Sequence, residues 1–140
     1  MSRVAVVFWS GTGNTQTMAE AVAEGAKNAG AETTVFRSAE FGRDKVSEYD
    51  GIAFGCPAMG AEVLEETEFE PMFSDVEKVL AGKKIALFGS YGWGDGQWMS
   101  DWEARCRAAG AQMAAGSVIA NSAPSEEALD ECRALGAKLA

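Results

Sequence analysis

Residues Ser10-Gly11-Thr12-Gly13-Asn14-Thr15 gather donors that could hold an anion without any cation. Two glycines let the backbone coil tightly and turn several N–H groups toward one point. Ser10, Thr12, Asn14 and Thr15 add four hydroxyl or amide side chains, and no Lys or Arg lies within the hexapeptide. Before it, Val4-Ala5-Val6-Val7-Phe8-Trp9 is a continuous apolar run, which predicts a strand buried on both faces. After it, Met18, Ala19, Val22, Ala26 and Ala29 recur at helical spacing. The hexapeptide is therefore a strand-to-helix turn, and the partial positive charge of the helix start adds to the anion site. A Ser/Thr/Gly-rich turn can also be plain helix capping. Six such residues in a row directly after a buried strand favour a phosphate. A Walker loop is excluded because no Gly-Lys-Ser/Thr follows, and the third glycine of the dinucleotide fingerprint is missing.

Two further stretches carry unusual residues. Ser90-Tyr91-Gly92-Trp93-Gly94-Asp95-Gly96 sets an indole among glycines. Trp93 there is either a flat platform for a planar heterocycle or a lid folded back on the sheet edge. Stacking of a heterocycle on an aromatic is worth ~1–3 kcal/mol per contact. It should be weaker on an anionic ring than on an electron-poor one. Pro57-Ala58-Met59-Gly60-Ala61-Glu62 offers Met59 either as a soft contact to the opposite face or as a turn methionine pinned to the core.

The rest of the chain must position these three loops. Gly30 is expected to close the first helix, and Glu32 to Phe36 reads as a short, more polar strand nearer an edge. Residues 38–50 read as a loop with one short helical turn at most. Gly51 to Cys56 is a third, buried strand that stops at Pro57. Pro71 fits the first position of a helix whose Phe69, Met72, Phe73, Val76 and Leu80 face inward and which Gly82 closes. Ile85 to Gly89 is a fourth strand. The next helix carries Trp98, Trp102, Cys106 and Ala109 on one face and ends at Gly110. Met113 to Ala120 reads as an uninterrupted fifth strand, and Ser125 caps a last helix with Leu129, Cys132, Leu135 and Leu139. Strands alternating with helices predict an α/β three-layer sandwich around a five-stranded parallel sheet in the order 2-1-3-4-5. Ligands of such sheets sit at the carboxyl edge beside strands 1 and 3, where all three loops project.

Composition narrows the function. A chain of 140 residues with 47% apolar and 24% charged residues is expected to form one soluble domain, 1–140. No apolar stretch approaches the ~20 residues of a membrane span, and the N-terminus shows no basic-then-apolar signal region, so a cytoplasmic location is expected. Cys56, Cys106 and Cys132 are too widely spaced to imply a disulfide framework or a metal cluster. With no histidine, Ser-His triads and His-ligated metals are excluded. A net charge of −9 argues against nucleic acid and anionic membranes and leaves room for a basic protein partner.

The hexapeptide resembles the phosphate loop of the flavodoxins, Ser/Thr-x-Thr-Gly-x-Thr: Ser10, Thr12, Gly13 and Thr15 match every specified position. Cys56-Pro57-Ala58-Met59-Gly60-x-Glu62 and Gly89-Ser90-Tyr91-Gly92-Trp93-Gly94 are similar to the two flavin-flanking loops of short-chain flavodoxins with a Met-Gly turn. Three motifs agree in order and spacing over essentially the whole chain.

The resemblance implies bound flavin mononucleotide (FMN), with Ser10, Gly11, Thr12, Gly13, Asn14 and Thr15 holding its phosphate together with Ser90. Pro57, Ala58, Met59, Gly60, Ala61 and Glu62 would flank the ring on one side, and Tyr91, Gly92, Trp93 and Gly94 on the other. Met59 and Trp93 would sandwich the isoalloxazine, Glu62 would accept from its N3–H, and Asn121 would reach the ribityl chain. The Gly60–Ala61 peptide would flip between β-turn types to meet N5–H, a hydrogen bond worth ~0.5–1.5 kcal/mol. If the flipped turn needs a positive φ at position 61, Ala costs ~1–2 kcal/mol there. Ala61→Gly is then expected to raise the oxidised/semiquinone potential in a reductive titration. Glu62, Glu65, Glu66, Glu68 and Glu70 either weigh against an anionic reduced ring within a Debye length of ~8 Å or form a solvated face.

The function implied is low-potential, one-electron transport by non-covalently bound FMN, shuttling between semiquinone and hydroquinone, by a monomer that is not itself an enzyme. Partners would be reductases and ferredoxin-type acceptors whose basic surfaces meet the acidic rim. The alternative is an FMN-dependent NAD(P)H or quinone reductase, which would leave one ring face open. A cofactor-free phosphorylatable receiver of the same shape needs an acidic cluster at strand 1, which Val4 to Trp9 does not offer.

Overall fold

The computed structural model describes residues 2–11, 13–59, 63–92 and 94–140. The apolar run near the N-terminus forms β1 (Arg3–Phe8), which pairs in parallel with β2 (Glu32–Arg37) on one side and β3 (Gly51–Gly55) on the other. β3 pairs with β4 (Lys84–Tyr91), and β4 carries two short strands in succession on its far side, β5 (Gln112–Met113) and β6 (Val118–Asn121). The path β2-β1-β3-β4-β5 reproduces the expected 2-1-3-4-5 order with its last strand split. β3 is buried throughout and β1 everywhere but Arg3, as central parallel strands must be, whereas edge strand β2 is half-exposed.

Alternate residues of β1 feed different cores. Val4, Val6 and Phe8 pack with Met18, Val22 and Ala26 of α1 (Asn14–Asn28) and with Cys132, Leu135 and Leu139 at the far end of the chain. Ala5 and Val7 pack toward the opposite layer, which holds Phe69, Phe73 and Val76 as well as Trp98, Trp102 and Cys106. The short helix α2 (Arg43–Val46) and α3 (Phe69–Val76) belong to that layer, as does α4 (Gln97–Ala108). α5 (Glu126–Leu139) lies beside α1 almost backbone to backbone. A Cβ on Gly25 would sit 1.9 Å from the Arg133 carbonyl oxygen, and one on Gly136 2.0 Å from that of Val22. Larger residues at either position would push the two helices apart. No described helix is long and apolar enough to cross a membrane.

Four expectations need correction. The fifth strand is not continuous: the outer chain spends five residues (Met113 to Val118) where β4 advances three (Ile85 to Phe88). Residues 114–117 are all small and form a bulge between the two short strands, with Ala114 and Ala115 still packed on the core, which apolar patterning cannot reveal. β4 does not end at Gly89, because β6 pairs Ser90 with Ala120 and Tyr91 with Asn121. The stretch 38–50 is more than a loop. It holds a 3-10 turn (Ser38–Glu40) and α2, and its Phe41, Val46 and Tyr49 are buried. Phe41 and Tyr49 meet Phe36 at centroid distances of 5.3 and 5.9 Å, an irregular spacing with no helical or strand period. α3 begins at Phe69, so Pro71 is its third residue, where a missing N–H is equally harmless. The apolar stripe from Phe69 to Leu80 is buried as expected.

Candidate functional site

The carboxyl ends of β1, β3 and β4 meet at an open cleft of about 340 Å³. Trp9, Ser10, Gly11, Asn14 and Thr15 line it from the turn after β1, and Pro57, Ala58 and Met59 from the turn after β3. Ser90, Tyr91 and Gly92 come from the end of β4, and Ser122 from just beyond β6. The three loops singled out in the sequence thus converge.

The anion loop is built by its own side chains and by one glycine. Ser10 Oγ accepts the Gly13 N–H at 3.0 Å, and Gly13 turns the chain into α1 with φ 98°. Its carbonyl accepts the Thr17 N–H, so α1 starts with the N–H groups of Asn14, Thr15 and Gln16 lacking an intrahelical acceptor. Among the described residues no side chain caps this start, and its first turn carries no acidic residue. Thr15 and Ser90 are both buried, with Thr15 Oγ1 3.1 Å from Ser90 Oγ. A register pairing in the sheet thereby delivers a second hydroxyl to the first turn of the helix. Neutral hydroxyls and open backbone N–H groups at a helix start suit a phosphate.

The turn after β3 is tied across the cleft. The Ala58 N–H donates to the Ser90 carbonyl at 3.0 Å, and Met59 and Val63 exchange backbone hydrogen bonds of 2.9 and 3.1 Å. The indole N–H of Trp98 donates to the Cys56 carbonyl at 3.2 Å, fixing the end of β3 from below. Burial pushes the Cys56 thiol well above the ordinary thiol range, so it stays protonated. Gly60, Ala61 and Glu62, like Thr12 and Trp93, lie outside the described residues.

Of the other candidates, Gly13, Gly94 and Asn121 do not line the cleft. Asn121 ends β6 opposite Tyr91 and is exposed. The next residue, Ser122, takes its place at the wall, donating its N–H to the Tyr91 carbonyl at 2.7 Å with φ 58°. A left-handed serine at a ligand wall is a strained position. Sequence reasoning missed Ser122 and Trp9. Nothing local marked Trp9, since an aromatic closing a buried strand reads as core.

Among the described residues the acidic stretch is not a solvated face throughout. Glu65 is only 5% exposed and caps α3 from inside. Its carboxylate accepts the N–H of Thr67 (2.8 Å), Glu68 (2.7 Å) and Phe69 (2.9 Å) and the Thr67 hydroxyl. Burial alone would raise its pKa, but these four hydrogen bonds outweigh it and hold the group at about 2. Glu70 is forked by Arg105 at 2.8 and 2.7 Å, and Arg105 also takes Glu77 at 2.9 Å. The hydrogen bonds from Arg105 set Glu70 below the usual carboxylate range against the opposing effect of burial.

A doubly wound parallel sheet with a cation-free anion loop at its switch point defines a nucleotide-phosphate-binding α/β protein. The comparisons narrow that class. The flavodoxin family model matches residues 6–136. The chain is 45% identical over 133 residues to the flavodoxin of Megasphaera elsdenii, covering 95% of each. It is 43% identical over 135 residues to that of Clostridium beijerinckii, covering 96% of this chain and 97% of the other. The solution structure of two-electron reduced Megasphaera elsdenii flavodoxin matches with a TM-score of 0.90 at 44% identity, covering 97% of each chain. This chain belongs to the flavodoxin family. It is accordingly an FMN-binding electron-transfer protein that works between redox partners, and not an enzyme in its own right.

Proposed function

We propose that residues 1–140 act as one cytoplasmic FMN domain, monomeric, carrying single electrons at low potential between redox enzymes. The observation that carries this reading is the uncapped start of α1 opening into the cleft beside the buried Thr15–Ser90 hydroxyl pair. FMN, when bound, supplies the redox chemistry, taking up and giving off one electron at a time. Ser10, Gly11, Thr12, Gly13, Asn14 and Thr15, with Ser90, hold its phosphate by neutral donors and the helix dipole. Met59 and Trp93 enclose the ring, with Pro57, Ala58, Tyr91, Gly92 and Gly94 shaping the two turns. Glu62 orients the ring edge, the Gly60–Ala61 peptide meets a proton there, and Asn121 and Ser122 bound the ribityl side. Enclosure on both faces leaves only an edge for a partner, which favours electron transfer over hydride chemistry. The net charge of −9 suits docking on basic faces of reductases and of enzymes that accept from ferredoxin.

A stepwise reductive titration followed in the visible tests the reading. The expected result is tight FMN binding, two well-separated one-electron steps and no steady oxidation of NAD(P)H. A chain that stays colourless with added FMN would overturn it, as would rapid NAD(P)H turnover.

A further inference from the structure

Trp9 at the cleft wall and Glu68 outside it brace the cleft, a role that rests on the FMN reading. Trp9 lines the cleft, and its indole N–H is directed to Glu68 Oε1 at 2.9 Å, joining residues 59 positions apart. At another edge of the same ring, a Cβ built on Gly11 would lie 3.1 Å from Cη2 and 3.3 Å from Cζ3. The anion loop therefore rests close against the indole, and a side chain at position 11 would push the ring by a few tenths of an ångström. On the other side, the Glu68 N–H donates to Glu65 Oε1 at 2.7 Å, in the constellation that caps α3. The Trp9 N–H of the main chain is held by the Gly55 carbonyl at 3.0 Å, so the residue is anchored at its backbone as well. An unbroken series of contacts runs from the α3 cap through Glu68 and the indole to the Gly11 backbone.

We infer that Trp9 and Glu68 are positioning residues, a strap that sets the anion loop against the segment following the Met59 turn. Glu68, which does not line the cleft, occupies the indole donor of a ring that does. The loop has no cation to draw a phosphate in, and its affinity depends on N–H groups already aimed before binding. Loosening the indole lets the loop relax and weakens that aim.

Equilibrium and rate measurements of FMN binding test this on the full chain. Glu68→Ala and Trp9→Phe should each raise the FMN dissociation constant about three- to tenfold, the scale of one net hydrogen bond. The double variant should be no worse than the poorer single one, because both remove the same link. Glu68→Gln retains an acceptor oxygen and should stay within about twofold of the wild type. A readout independent of FMN is hydrogen exchange of the Trp9 indole N–H. It should be slow in the wild type and Glu68→Gln, and fast in Glu68→Ala. Unchanged FMN affinity in both single variants, additive losses in the double variant, or equal indole exchange with and without Glu68 would each overturn the strap. A wild-type chain that ignores FMN would overturn the FMN reading instead, and the indole exchange would still decide whether the strap exists.

Discussion

Two helix starts on the same edge of the sheet are finished in opposite ways. α3 is given an internal anion: Glu65, buried, takes the N–H groups of Thr67, Glu68 and Phe69 and the Thr67 hydroxyl where the chain turns into the helix. α1 receives none among the described residues, and its first turn opens instead into the cleft beside Thr15 and Ser90. The physics at the two sites is the same, unpaired N–H groups backed by a helix dipole. Where the chain supplies the carboxylate, the helix start is structural. Where it withholds one at α1, the start stays open toward the cleft.

The largest test is to remove the internal anion. Glu65→Ala should destabilise the fold by about 3 kcal/mol, the scale of removing a charged acceptor from buried N–H groups. Urea denaturation with FMN held in excess measures it. The same contribution has a pH signature. Because the folded pKa is depressed, the stabilisation is complete above about 4.5 and is lost as the pH falls toward about 2. An acid titration of Glu65→Ala should be flatter than that of the wild type across this window.

The next test gives α1 the anion it lacks. Asn14→Asp places a carboxylate at the first residue of the helix, where it should stabilise the protein without FMN by about 0.5 kcal/mol. It should weaken FMN binding by about 30-fold, or about 2 kcal/mol, through repulsion of the phosphate. Isothermal titration reads the loss, and unchanged affinity would contradict the phosphate assignment.

The smallest effect belongs to α5, whose start is closed by a neutral group. Ser125 Oγ accepts the Ala128 N–H at 3.1 Å, with Glu126 and Glu127 in the first turn. Ser125→Ala should lower stability by about 1 kcal/mol and leave FMN binding unchanged. A helix start that is already capped has no vacancy for a ligand, so any change in affinity would break the contrast.

Much of this arrangement is legible in the amino-acid sequence alone. The anion loop announces itself because small, polar and glycine residues follow a strand too apolar to be anything but central, and the three loops converge because strand order dictates it. Trp9 was not legible as a site residue, because an aromatic at the end of an apolar run looks like more core. Glu65 was one of several glutamates in a row, and nothing local distinguishes a buried cap from its exposed neighbours. The split of the outer strand was hidden because Ala114 to Ser117 are small residues that fit a strand or a bulge equally well.

Periodicity and local chemistry act within a few residues. They therefore made most strands and helices and the order of the sheet legible, together with a Ser/Thr/Gly turn free of Lys and Arg, but not the split of the outer strand or the helical turns of 38–50. Which helix start is filled and which is left open, which glutamate is buried, and which indole braces the loop depend on partners tens of residues away. Those pairings form only when the layers close, since burial and hydrogen-bond geometry are properties of the packed molecule rather than of any segment.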